Sequence, residues 1–223
     1  MDHPLSDRII KQHLIRQSKA VMMAFIQNPT LMRRCKMETM TPQDFEILLQ
    51  SDRGEYFVGR WEYYKEVIDM VHQLNPETVL ELGPGSHTIV KHCDIMVKPE
   101  DDDWGRPVNP VNRVHYYDAT EKNWPIADKQ YDLFIALQVW EHLSNKQSRA
   151  FREAMRVSKA AILSLPLWWD CPKDDNNYPE HHHIDEELIA DWTLHMKPEK
   201  VVMIPRTGDR VSKGPRIIYL WRF

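Results

Sequence analysis

The sequence predicts an α/β fold, a parallel sheet layered between helices and closed at its C-terminal end by an antiparallel hairpin. Three observations predict it. From residue 78 onward, short apolar runs alternate with longer mixed segments, as strands alternate with crossover helices. Runs such as Leu133-Phe134-Ile135-Ala136-Leu137 are apolar at every position, which suits strands covered on both faces. The last two runs, 201–204 and 216–221, lie too close together for a crossover helix and so pair antiparallel.

Taken in order, residues 3–60 are charged and methionine-rich with helical spacing, as in Ile10, Leu14, Ile15 and then Val21, Met22, Phe25, Ile26, and Pro29 and Pro42 divide them into short helices. Thr41 before Pro42 is a cap followed by proline at the first helical position, which predicts a helix from 42 to about 51. A helix over 61–74 buries Tyr64, Val67, Ile68 and Val71 on one face and ends at Asn75-Pro76. Strands are expected at 78–82, 113–117, 131–137, 160–165, 201–204 and 216–221. Residues 145–157, with Phe151, Ala154, Met155 and Val157 among charges, read as the crossover helix before the 160–165 strand.

Composition narrows the function. The 223 residues suit one domain with attachments, and 29 Lys plus Arg against 33 Asp plus Glu leave a net charge of -4. That balance does not favour a nucleic acid partner. The longest apolar stretches, 133–137 and 160–167, fall far short of the roughly 20 residues of a membrane span. The opening MDHPLSDRIIKQ lacks a basic region followed by an apolar core, so a cytoplasmic protein is expected. Cys35, Cys93 and Cys171 form neither a disulfide framework nor a Cys-x-x-Cys clip, so free thiols and no metal are expected. Only 7 glycines occur, where average usage would give roughly 16, so each one is informative.

Two of the seven stand together in Glu81-Leu82-Gly83-Pro84-Gly85-Ser86, where a strand runs into a turn. Backbone approaches a ligand closely here, or the glycines serve only to reach positive φ. In open α/β sheets, ligands lie beyond the carboxyl ends of the strands, where this turn falls. A dinucleotide fingerprint wants a third glycine where Thr88 stands, and Glu81 at the strand mouth would repel a pyrophosphate. A ligand bearing an ammonium and a sulfonium, as S-adenosylmethionine does, suits that carboxylate better.

With these residues in place, the chain from about residue 56 resembles the class I S-adenosylmethionine-dependent methyltransferases. Glu81-Leu82-Gly83-Pro84-Gly85 resembles the family's first motif, which lines the methionine part of the cofactor; Asp118-Ala119 stands where the family holds adenine. Trp124-Pro125 and the run from Tyr131-Asp132 through Gln138 to Trp140-Glu141-His142-Leu143 resemble its fourth motif, and Ala161-Ile162-Leu163-Ser164-Leu165-Pro166 its fifth strand. The resemblance implies a seven-stranded, Rossmann-like sheet, with Asp94-Ile95-Met96-Val97 as its second strand. It implies S-adenosylmethionine as cofactor, a methyltransferase domain over 61–223, and an N-terminal helical segment over 1–60 that covers the cofactor. Two departures stand out. The family's third glycine is His87 here, and the acidic residue for the ribose is either Glu100 or Asp101.

Several residues carry two readings. Arg60, with Tyr56 beside it, pairs with the methionine carboxylate or is a surface arginine at a helix start. Gln138 falls on the cofactor side of the fourth motif. His142 acts as a base toward a hydroxyl acceptor, with Glu141 beside it, or both are structural. The stretch from Trp168 to His183 is the expected substrate region, with Trp168, His181 and His182 toward the acceptor; Trp168 and Trp169 form an acceptor wall or serve only as a hydrophobic cover, and three adjacent histidines diverge too much to share a metal. Asp185-Glu186-Glu187 also reads as an acidic first helical turn. The leading function is methyl transfer to oxygen or nitrogen of a small-molecule acceptor. A non-catalytic cofactor binder and a nicotinamide oxidoreductase are the alternatives.

Overall fold

A computed structural model describes residues 37–99, 107–169, 184–206 and 214–223. The helices expected before residue 37 lie outside the described residues, as do Glu100, Asp101, His181, His182 and His183.

Helix α1 spans Pro42–Leu49 and begins on a capping box: Thr41 Oγ1 accepts the Asp44 N–H, and Asp44 accepts the Thr41 N–H. It ends short of the expected 51 because the Ser51 hydroxyl bonds the Leu48 carbonyl and turns the chain. A single helical turn, α2 (Gly54–Phe57), follows, and then α3 (Trp61–Leu74). The four apolar positions read from the sequence are buried in α3, joined by Tyr63 and Met70. Asn75, at φ +46, ends it in the left-handed conformation and bonds the Val71 carbonyl.

The sheet comprises β1 (Val79–Leu82), β2 (Asp94–Val97), β3 (Arg113–Tyr116), β4 (Leu133–Leu137), β5 (Ala160–Pro166), β6 (Lys200–Ile204) and β7 (Arg216–Arg222). Their order is β3-β2-β1-β4-β5-β7-β6; β1 to β5 are parallel neighbours, and β7 runs antiparallel to both β5 and β6. The expected fold, hairpin included, is therefore present. Strand β4 starts at Leu133 rather than 131, because Tyr131 makes only an isolated bridge to Ser158 and Asp132 is occupied elsewhere. Its carboxylate accepts the N–H groups of Glu77 and Thr78 and pairs with Lys159 at 2.7 Å, which fixes the start of β1 against β4.

The strands are buried on both faces. On one side Phe134, Ala136, Leu163 and Trp221 pack with Trp140 and the buried face of α4 (Gln147–Val157), which is Ala150, Phe151, Ala154 and Val157. On the other, Ile135, Ile162 and Ile218 pack with Val67, Ile68 and Val71 of α3 and with Phe45 of α1. Each buried Val, Leu, Ile or Phe among them contributes about 1.5–3 kcal/mol by leaving water. Helix α4 starts two residues later than expected because Ser144 and Asn145 take left-handed φ values of +45 and +60. Helix α5 (Glu186–Trp192) is capped by Asp185, which accepts the Leu188 N–H, and carries the expected acidic first turn. Among the described residues, no helix is long and apolar enough to cross a membrane, and no cluster of three or more His, Cys, Asp or Glu side chains could hold a metal.

Candidate active site

A cavity of about 750 Å³ opens at the carboxyl ends of β1 to β4. Its walls come from the turn after β1, the segments after β2, β3 and β4, the α2–α3 junction, and Trp169 and Arg206 beyond β5 and β6.

The turn after β1 forms the floor. Gly83 and Gly85 have φ of +56 and +65, and a Cβ on Gly83 would lie 3.2 Å from the Val139 side chain. Conformation therefore favours glycine at position 83, and a Cβ there would also press on Val139. Glu81, only 2% exposed, accepts the Ile89 N–H with both carboxylate oxygens, at 3.0 and 3.3 Å, and so straps the turn closed. Burial pushes its carboxyl up to about 8, against the opposing pull of the Ile89 and Val90 amides. A cation arriving in the cavity would favour its anionic form. Thr88 is buried; its hydroxyl bonds the Val90 carbonyl and its N–H bonds Asn109 Oδ1, which ties the turn to the segment after β2. His87 lines the cavity with Nδ1 buried and without a hydrogen-bond partner, and burial holds its imidazole below the usual pKa against the pull of Asp44.

After β3, Asp118 Oδ1 accepts the Thr120 N–H and hydroxyl at 2.8 and 2.7 Å, while Oδ2 lies 3.5 Å from Lys98. Burial alone would raise the Asp118 pKa, but these partners outweigh it and hold the carboxyl below its ordinary value. Asp118 and the buried Ala119 both line the cavity. At the α2–α3 junction, Arg60 is 6% exposed; its Nε bonds the Tyr56 carbonyl at 2.8 Å and its guanidinium lies 3.7 Å from the Tyr56 ring centroid. Arg60 and Tyr56 also line the cavity, so Arg60 is not a surface arginine.

After β4 the chain reverses at Gln138, φ +58, whose N–H bonds the Ser164 carbonyl and whose Oε1 lies 3.5 Å from the Arg206 guanidinium. A 3-10 turn, Trp140–His142, follows and places Glu141, 2% exposed, and the exposed His142 on the wall. Trp168 is placed otherwise than the sequence suggests. It is 53% exposed, its left-handed backbone (φ +53) turns the ring outward, and its Nε1 bonds Glu186 at 2.9 Å. The cavity wall is formed by its neighbour Trp169, the other member of the expected acceptor wall, together with Arg206 and Tyr63, which sequence reasoning passed over.

These residues fit S-adenosylmethionine. The floor is backbone where a side chain would intrude, an acidic group stands after β3, and both a guanidinium and a titrating carboxyl face the cavity to meet the two charges of an amino acid. Residues 80–161 match the family described as methyltransferase domain. No curated protein sequence matches the chain. Among solved structures, a methyltransferase from Thermotoga maritima is similar at 15% identity and a TM-score of 0.51, with 80% of this chain and 98% of that one covered. A methyltransferase from Mesorhizobium loti aligns at 10% identity and a TM-score of 0.52, covering 74% and 98%. A third, solved in complex with the Haloferax volcanii Trm112 activator, aligns at 10% identity and 0.51, covering 82% and 97%. At such identities the structural likenesses speak to fold, and the family match and motifs speak to the cofactor. Residues 80–161 thus match the methyltransferase domain, on a fold similar to that of the S-adenosylmethionine-dependent methyltransferases and around a cavity whose residues fit that cofactor.

Proposed function

We propose that the chain methylates an oxygen or nitrogen of a small-molecule acceptor. The observation that supports this most is the continuity of one cavity from the Gly83 turn and Asp118 to His142 and Trp169, which leaves space for two reactants side by side. When bound, S-adenosylmethionine supplies a methyl group on a sulfonium, a good leaving group, so holding the reactants in line accounts for much of the acceleration.

The chain's own residues then divide the work. The glycine turn admits the methionine portion, Arg60 takes its carboxylate with Tyr56 packed alongside, and Glu81 turns anionic toward its ammonium. Asp118 and the backbone of Ala119 hold the adenosine end, with α2 and its flanks, part of the 1–60 segment, as cover. Gln138 borders cofactor and acceptor. His142 takes the acceptor's proton and Glu141 positions it. Either His181 or His182 completes the acceptor side.

The test is calorimetric titration with S-adenosylhomocysteine, followed by its detection as product across a panel of hydroxyl and amine acceptors. His142→Ala should lower turnover by about 10²-fold or more, leaving S-adenosylhomocysteine affinity within about twofold. Unchanged turnover would exclude His142 as the base.

A further inference from the structure

We propose that His87 binds the cofactor through its side chain, its Nε2–H donating to the carboxylate of the methionine portion from the side opposite Arg60. The proposal rests on the S-adenosylmethionine reading of the cavity and adds to that site an imidazole where the family has glycine.

Placement is the first argument. His87 lines the cavity, and the chain is pinned on either side of it: the Ser86 carbonyl accepts the Val108 N–H at 2.8 Å, and the Thr88 N–H donates to Asn109 Oδ1 at 3.0 Å. Two residues on, Ile89 donates its N–H to Glu81 and accepts the Met40 N–H. The ring is thus presented to the cavity from a turn fixed at three points. Its Nδ1 is buried without a hydrogen-bond partner while the residue as a whole is partly exposed, which leaves Nε2 as the ring nitrogen on the open side. A buried polar atom left unsatisfied calls for a reason, and a use for the opposite nitrogen supplies one.

The proton is the second. Burial holds the imidazole below its usual pKa against the pull of Asp44, so at neutral pH the ring is neutral and carries a single N–H. An orphaned buried N–H is rarer than an under-satisfied acceptor. The proton therefore sits on Nε2, and the cavity meets a donor. A donor suits an oxygen of the ligand and not its ammonium.

The choice of oxygen is the third. His87 follows β1 and Asp118 follows β3, with β2 between them, so at two strand spacings the two sites stand about 10 Å apart. With Asp118 at the adenosine end, His87 falls toward the methionine end. Asp44, whose charge acts on the ring, lies in the first turn of α1, and the ring of its neighbour Phe45 is 5.2 Å from that of Trp61, the residue after Arg60. His87 and Arg60 therefore enter the cavity from the flank on which α1 and α3 pack. A carboxylate between them has two oxygens, one for a guanidinium and one for an imidazole N–H.

The experiment titrates the full chain by calorimetry with S-adenosylmethionine and with decarboxylated S-adenosylmethionine, which keeps the ammonium and sulfonium and lacks only the carboxylate. His87→Ala should weaken S-adenosylmethionine about tenfold or more and leave the decarboxylated compound within about twofold. His87→Gln, which carries a donor of similar reach, should recover most of the loss. Thermal unfolding checks that each variant folds; should His87→Ala fail to, His87→Phe fills the same space without a donor and carries the same expectation. Equal weakening of both compounds overturns the proposal, because the ring would then serve the turn or another part of the cofactor. So does S-adenosylmethionine binding indifferent to His87→Ala, or a loss in His87→Gln as large as in His87→Ala. Wild type that binds neither compound overturns the cofactor reading together with this proposal, an outcome distinct from the others, in which wild type binds.

Discussion

Replacing Glu81 by glutamine keeps an acceptor for the Ile89 amide while removing a buried titrating group beneath the cofactor turn. In the folded chain, burial pushes this carboxyl from 4.5 up to about 8. The folded state therefore holds the proton more tightly than the unfolded one. The resulting stabilisation is complete below 4.5 and is lost as pH rises through about 8. Across that interval wild type should lose about 1.4 kcal/mol per pH unit relative to Glu81→Gln, approaching ~5 kcal/mol as an upper limit that water entering the cavity reduces. Urea unfolding of both proteins between about pH 5 and about pH 9 measures it, and the difference cancels every other titrating group. Parallel profiles would refute the buried-carboxyl argument. A wild type that gains on the variant with rising pH would reverse its sign and place the carboxylate in a cationic environment.

Gly83→Ala should cost about 1–2 kcal/mol from its positive φ alone, with a further penalty from the 3.2 Å approach to Val139, and should weaken S-adenosylhomocysteine binding by calorimetry. Adding Val139→Ala should recover only the contact part; full recovery would mean that backbone conformation is irrelevant there. Asp132→Asn should lose about 1–2 kcal/mol at neutral pH by urea unfolding, because the carboxylate serves Glu77, Thr78 and Lys159 together. Burial raises the Asp132 pKa but those partners lower it further, so its stabilisation is present above 3.8 and lost as pH falls through the depressed folded value. The gap between wild type and Asp132→Asn should therefore close only in acid.

Legibility followed how local each determinant is. The helix face of α3 and the doubly buried β4 were visible because periodicity and unbroken apolarity are properties of a few consecutive residues. Strand β2 was placed only through resemblance, since Asp94–Val97 is four residues long and begins with an acid. Glu81 was legible as a site residue, but its bond to Ile89 depends on how the turn folds back eight residues later. Trp168 and Trp169 are indistinguishable by composition, and only the left-handed φ of the first decides which ring meets the cavity. Arg206 and Arg216 bracket the hairpin connection, and an arginine opening an otherwise apolar strand was the available sign of a buried cation.

Strand β7 carries a further consequence for how reliably the chain folds. Ile217, Tyr219 and Trp221 face one core and Ile218 and Leu220 the other, so the usual polar alternation that makes a one-residue slip prohibitive is missing from a strand wedged between two antiparallel neighbours. Three features outside that alternation discriminate instead. Gly214, at φ +65, passes so close to the Leu167 carbonyl that a Cβ would lie 2.0 Å from it; a slip would take Arg216 away from the Tyr63 ring it lies against; and it would break the stack of Tyr219 on Trp221 beside Phe151, with centroids 5.2 Å apart. Arg216, buried against the ring of the cavity-lining Tyr63, thereby also marks the alignment of the sheet, so a mutation there would act first on the fidelity of assembly.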